Sequence, residues 1–230
     1  MGHYRVNPMI DWQSIDTILL DMDGTLLDLH FDNYFWQEHV PLRYAQRRGL
    51  KLESAKEELA ARYRAVEGTI HWYCMDYWSR ELELDIELLK REVNHLIAVH
   101  PHVVEFLEES RRHGKRLALV TNAHMKSLGL KMERTRLAHH FDQVITAHDF
   151  GVPKERPEFW EHLQRREPFD PKRTLFVDDS LSVLRSAQRY GIAWLLAIRR
   201  PDTRQPVREL AEFPAIHDFS EIMPVSGSQR

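Results

Sequence analysis

Five short apolar runs recur along the chain, and several of them stop abruptly on polar residues. Ile18-Leu19-Leu20 ends at Asp21 and Gly24, and Arg116-Leu117-Ala118-Leu119-Val120 ends at Thr121-Asn122. Gln143-Val144-Ile145-Thr146 is a third run. Thr174-Leu175-Phe176-Val177, halted by Asp178-Asp179, is a fourth, and Ile192-Ala193-Trp194-Leu195-Leu196-Ala197 is a fifth. Continuous apolar runs without polar alternation fit strands buried on both faces, as in a parallel sheet covered by helices. The segments between them carry helical patterns. His102 to His113 places Val103, Phe106 and Leu107 on one face and breaks at Gly114. Met125 to Leu137 and Pro157 to Arg166 fill the next two gaps, and Ser180 to Tyr190 opens on a capping serine and stops at Gly191. This alternation predicts a doubly wound, Rossmann-like α/β domain with right-handed crossovers.

The stretch from Phe31 to Val99 breaks the alternation. It holds no convincing strand, two runs of helix formers (Glu53 to Val66 and Glu87 to Ala98) and many aromatics. The expectation is an all-helical cap, residues 30–99, inserted after the first strand of an α/β core made of 1–29 and 100–230. The tail from Pro224 to Arg230 is small and polar, and is expected to be disordered.

Composition narrows the function. Hydrophobic residues at 43% and charged residues at 29% of 230 are ordinary for a globular protein with a sizeable core. The 32 Lys+Arg against 35 Asp+Glu leave a net charge of -3, without the basic surplus of a nucleic-acid binder. No stretch approaches the ~20 apolar residues of a membrane helix, and the N-terminus lacks a secretory-type apolar run. The cytoplasm is the default expectation. The single cysteine, Cys74, excludes an internal disulfide framework and reads as a buried small hydrophobe. The histidines lack ligand spacing, so none is assigned a metal.

Ligands in open α/β sheets bind beyond the carboxyl ends of the strands. There the first strand delivers Asp21 and Asp23, the second Thr121 and Asn122, and the fourth Asp178 and Asp179, while the loop after the third carries Lys154. Singly, each has a plain alternative: Thr121-Asn122 and Asp178-Asp179-Ser180 could cap helices, and Lys154 could be a solvated surface residue. Together they make a site. Carboxylates so crowded would repel without a cation, and their hard oxygens suit Mg2+. Asp21 can attack phosphorus to form an aspartyl-phosphate. Asp23 can protonate the leaving oxygen and then deprotonate water. Gly24 permits a tight turn that lets amide N–H groups face a phosphate. Thr121, Asn122 and Lys154 offer hydrogen bonds and positive charge to the transferring group.

Asp21-Met22-Asp23-Gly24-Thr25, Thr121-Asn122, Lys154 and Asp178-Asp179 resemble the four motifs of the haloacid dehalogenase-like hydrolase superfamily, and the resemblance covers the whole chain. It implies Asp21 as nucleophile and Asp23 as acid/base. It also implies a metal held by Asp21, the backbone carbonyl of Asp23 and Asp179, with Asp178 acting directly or through water. Lys154 departs from the pattern, being followed by Glu155-Arg156-Pro157 rather than by proline.

Leu19 to Leu29, Phe31 to Trp36, Trp72 to Trp78 and Thr121 to His124 further resemble bacterial GMP/IMP nucleotidases. That implies a 5′-nucleotidase acting on purine monophosphates. Purines stack on aromatic rings, making Tyr34, Trp36, Trp72, Tyr73 and Trp78 candidates, with Asn33, His71 and Asp76 for hydrogen bonds. Most of these aromatics could equally form the cap's own core, and His124 could touch phosphate or cap a helix. The alternatives are a phosphatase of sugar phosphates or other small esters and a phosphomutase. A dehalogenase would need neither Asp23 nor Asp178-Asp179, and a non-catalytic module would have lost one of these acids. Oligomeric state is open.

Overall fold

β1 (Thr17–Leu20) runs through the middle of a six-stranded sheet and pairs in parallel with a strand on each side. The other strands are β2 (Arg116–Thr121), β3 (Gln143–Thr146), β4 (Thr174–Asp178), β5 (Trp194–Ile198) and β6 (Ala215–Ile216), in the order β3-β2-β1-β4-β5-β6, every pair parallel. These come from a computed structural model that describes residues 10–224. Apart from Pro224, the tail lies outside the described residues. Alternate residues of the central strands enter opposite cores. Ile18 and Leu20 join one apolar cluster with Phe106, Leu119 and Val177, while Leu19 joins another with Val120, Trp160 and Phe176. Burial on both faces accounts for the unbroken apolar runs.

Helices α7 (Val103–Arg112), α8 (Met125–Thr135), α9 (Pro157–Arg166) and α10 (Leu181–Tyr190) alternate with the strands as expected. The fifth strand opens at Trp194 rather than Ile192, because the residues after Gly191 still complete the turn out of α10. β6 was not anticipated; two residues are too short for any periodic signal.

Between β1 and β2 the chain is helical. It forms α1 (His30–Tyr34), a π-helical turn (Phe35–His39), α2 (Val40–Arg48), α3 (Leu52–Val66), α4 (Ile70–Tyr73), α5 (Met75–Leu82) and α6 (Ile86–Glu92). The helix expected over 87–98 ends at Glu92, and Asn94–Leu96 is a 3-10 turn. Val93 and Asn94 are poor helix formers placed back to back, and the chain turns there toward the core. Outgoing and returning segments pair side by side through a Leu27–Val99 bridge, with Asp28 donating to Ala98 O and His100 to Leu26 O. Among the described residues no helix is long and apolar enough to cross a membrane.

Candidate active site

Strand register sets the site. Leu20 pairs with Leu119 on one side and Val177 on the other, so Asp21 leaves the sheet between Val120 and Asp178. The chain runs outward in one direction from β1 to β3 and in the other from β4 to β6. The crevice between the ends of β1 and β4 is therefore the switch point where ligands bind in such sheets.

Lys154 ties this edge together and is 1% exposed. Its Nζ donates to Asp21 Oδ1, to Asp178 Oδ2 at 2.7 Å and to Val120 O at 3.1 Å. Its backbone is fixed as well, the amide donating to Asn122 Oδ1 at 2.9 Å and the carbonyl accepting from Trp160 Nε1 at 3.1 Å. The missing proline therefore does not displace the lysine. Burial alone would depress its ammonium, but Asp178 and Asp21 outweigh burial and hold the proton above the usual lysine range. Glu155, which stands where that proline was expected, accepts from Asn122 Nδ2 at 3.0 Å and from the Tyr73 hydroxyl at 2.7 Å. Both polar ends of Asn122 are thus engaged in positioning this loop.

Asp21, Asp178 and Asp179 each bring a carboxylate oxygen within 4.8 Å of the other two. Burial pushes Asp21 up to about 6, and it raises Asp178 and, helped by its acidic neighbours, lifts Asp179 well above the usual range. Asp179 is the least compensated of the three, its nearest cation being Arg208 at 3.9 Å. An all-oxygen donor set with excess buried negative charge fits a hard dication such as magnesium. Gly24 adopts φ +82°, and a Cβ there would lie 2.7 Å from Asp179 Cγ. Only glycine lets the loop after β1 pass this close to Asp179. The Gly24 amide donates to Leu27 O at 2.7 Å and closes the loop.

Asp23 belongs to a chain of charges that motif spacing did not reveal. Its Oδ1 accepts from Lys131 Nζ at 2.6 Å, Lys131 also donates to Asp32 Oδ2 at 2.6 Å, and Lys90 donates to Asp32 Oδ1 at 2.7 Å. Burial raises Asp23 to about 6 against the pull of Lys131. Burial would also raise Asp32, but Lys131 and Lys90 together hold it down to about 2. Desolvation lowers Lys90, whose ammonium sits 4.8 Å above the rings of both Phe31 and Phe35. A sequence signal existed: Lys131 follows Ser127 and Leu128 on the buried stripe of α8, and Lys90 follows Ile86 on that of α6.

A cavity of about 360 Å³ opens above these groups. Asp21, Asp23, Thr121, Asn122, Lys154, Asp178 and Asp179 line its floor, and the helical insertion contributes Asn33, Trp36, Gln37, Trp72, Tyr73 and Lys90. Thr121 is also a local cap, its hydroxyl accepting from the Ala123 amide. Trp78 lines the cavity but is 2% exposed, packed edge-on against Tyr63 with Nε1 donating to Trp72 O. It is part of the insertion's core as well as a wall. Asn33 donates to Asp202 at 2.8 Å.

Tyr34, His71 and Asp76 are not among the lining residues. Tyr34 lies 36% exposed, and His71 stacks on Tyr77. Asp76 pairs with Lys126 at 2.8 Å. Cys74 is only partly buried rather than a core residue.

A sequence model described as haloacid dehalogenase-like hydrolase matches residues 15–191. The chain is 39% identical, over 94% of its length and 97% of the relative's, to the GMP/IMP nucleotidase YrfG of Escherichia coli K12. It is 26% identical to the pyrophosphatase PpaX of Oceanobacillus iheyensis, over 80% of this chain and 86% of that one. In fold it resembles a crystal structure of a HAD phosphatase from Thermococcus onnurineus. That match has a TM-score of 0.73 and 24% identity over 87% of this chain and 93% of the other.

Proposed function

The chain belongs to the haloacid dehalogenase-like hydrolase family and is a phosphoric monoester hydrolase, and from that premise we propose that it is a magnesium-dependent 5′-nucleotidase acting on GMP and IMP. The observation that carries the reading is the cavity itself. Its floor holds a buried carboxylate, Asp21, beside a buried ammonium, Lys154, and its upper wall holds the indoles of Trp36 and Trp72. That pairing of phosphate chemistry with flat aromatic surface suits a purine monophosphate. The 39% identity to a GMP/IMP nucleotidase extends through the helical insertion and supports the same substrate class.

Asp21 attacks phosphorus, the bond to the 5′ oxygen breaks, and Asp23 gives that oxygen its proton. Asp23 then takes a proton from water, whose oxygen attacks the aspartyl-phosphate, releasing inorganic phosphate and restoring Asp21. A carboxyl pushed up to about 6 can serve in both forms near neutrality. Lys154 steadies charge on the transferring group. Asp21, Asp179 and the Asp23 carbonyl would hold magnesium, with Asp178 beside them. Magnesium, when bound, offsets repulsion between the Asp21 carboxylate and the anionic ester.

The test is a phosphate-release screen over nucleotides, sugar phosphates and small phosphate esters, with and without magnesium. GMP and IMP are expected to be turned over best, with magnesium required. Equal or faster turnover of sugar phosphates would remove the purine assignment. Activity persisting in chelator or in Asp21→Asn would remove the mechanism.

A further inference from the structure

Cys74, His124 and His148 lie far apart in the chain, yet each places a ligand atom within 4.8 Å of the other two. Cys74 comes from the helical insertion, where it caps α5. His124 caps α8 after β2, and His148 lies in the turn after β3. The two imidazoles meet edge to face, with centroids 4.9 Å apart.

Their hydrogen bonding leaves ligand capacity unused. His148 Nε2 is buried and has no hydrogen-bond partner, an uncommon state for a polar atom. The same ring faces the backbone of Asn122, which favours a proton on it. A backbone neighbour on one side with a bare nitrogen on the other is how metal-binding histidines are oriented. Burial disfavours the charged form of both rings, and His124 Nδ1 accepts only a 3.4 Å contact from the Lys126 amide. Cys74 Sγ accepts one hydrogen bond, at 3.4 Å from the Tyr77 amide. Asp76 Oδ2, 3.7 Å from His124 Nε2, is at hand to orient that ring or complete a shell.

We propose that Cys74, His124 and His148 form a second metal site, for a borderline-soft divalent ion of the zinc class, separate from the carboxylate centre. One sulfur and two nitrogens are the donors zinc takes and magnesium does not. A tetrahedral centre with bonds of about 2.0–2.3 Å sets its ligand atoms roughly 3.3–3.6 Å apart, so the three groups need close by only about an ångström. Two ligands belong to the sheet loops and one to the insertion. Cys74 directly follows Trp72 and Tyr73, and His124 itself lines the cavity. An ion held here fastens the insertion to the core at the rim of the cavity, restrains its opening and slows turnover.

The test uses the full chain saturated with magnesium and titrated with cobalt(II), then with zinc. The expected result is a sulfur-to-cobalt charge-transfer band that zinc displaces, together with a zinc-induced rise in melting temperature. Cys74→Ser and His148→Asn should each lose the band and weaken zinc binding by at least about tenfold. Zinc should lower kcat of the wild type on a small phosphate ester and spare Cys74→Ser. In Asp21→Asn the band should remain. Absence of the band, or zinc stabilisation that survives in both variants, overturns the proposal. No nucleotide enters the experiment, so it stands or falls apart from the purine assignment.

Discussion

Asp23 owes its position to Lys131, which grips it at 2.6 Å while holding Asp32 with a second hydrogen bond. The amine touches the proposed acid/base and does not line the cavity, so its removal should be read in chemistry rather than in binding. Lys131→Met is expected to lower kcat on a small phosphate ester with little change in KM. Lys131 is the strongest influence pulling Asp23 down against burial. Without it Asp23 keeps its proton to higher pH, and the alkaline limb of the kcat/KM profile should move upward. Asp23 also loses its partner while Asp32 keeps Lys90, which costs at most roughly 3–5 kcal/mol of stability. An unshifted pH profile with the loss confined to melting temperature would make Lys131 structural only.

At the level of elements, the central strands and their flanking helices were legible because a strand buried on both faces cannot alternate with polar residues. Ile18 to Leu20 and Thr174 to Val177 therefore announced themselves, and the residues after them formed the site floor. What stayed hidden had no local signature. Ala215–Ile216 becomes a strand only because β5 offers it an edge. Asp32 reads as an ordinary polar residue until packing brings it to Lys90 and Lys131. Cys74, His124 and His148 lack ligand spacing because their convergence is made by three different loops. The insertion's aromatics divide in the same way. Trp36 and Trp72 reach the cavity, whereas Tyr34 does not: Asp32, Asn33, Trp36 and Gln37 line it at helical spacing, and Tyr34 lies off that face. Replacing Trp36 or Trp72 by Ala should raise KM for IMP roughly 5- to 150-fold, the size of one lost stacking contact, while sparing a small ester. Equal losses for both substrates would mean that the insertion itself had loosened.

For the whole molecule, the catalytic floor is a store of unfavourable charge. Asp21 and Asp23 sit near 6 when folded against 3.8 in water, so between about pH 4 and 6 the folded state binds more protons than the unfolded one. Each carboxylate therefore costs stability at neutral pH in the metal-free protein, up to about 3 kcal/mol for a shift of this size. That cost vanishes as pH falls toward 4. Asp32 behaves oppositely: its folded value near 2 contributes stability that is complete above about pH 4 and lost below. His148, neutral down to about 4, makes stability fall as pH drops from about 6.5, so the absolute curve mixes opposing slopes. A difference between two chains isolates Asp21 and the groups that feel its charge, because every remote group cancels. Lys154 keeps Asp178 as partner when Asp21 is changed. Metal-free Asp21→Asn should therefore melt about 5–10 °C above the wild type at pH 7, and the gap should close by pH 4. Magnesium should reverse the order at pH 7 by stabilising only the chain that keeps the carboxylate. A gap that ignores pH, or an asparagine variant less stable than the wild type in chelator at pH 7, would mean that Lys154 already neutralises the site and leaves no excess charge for a cation.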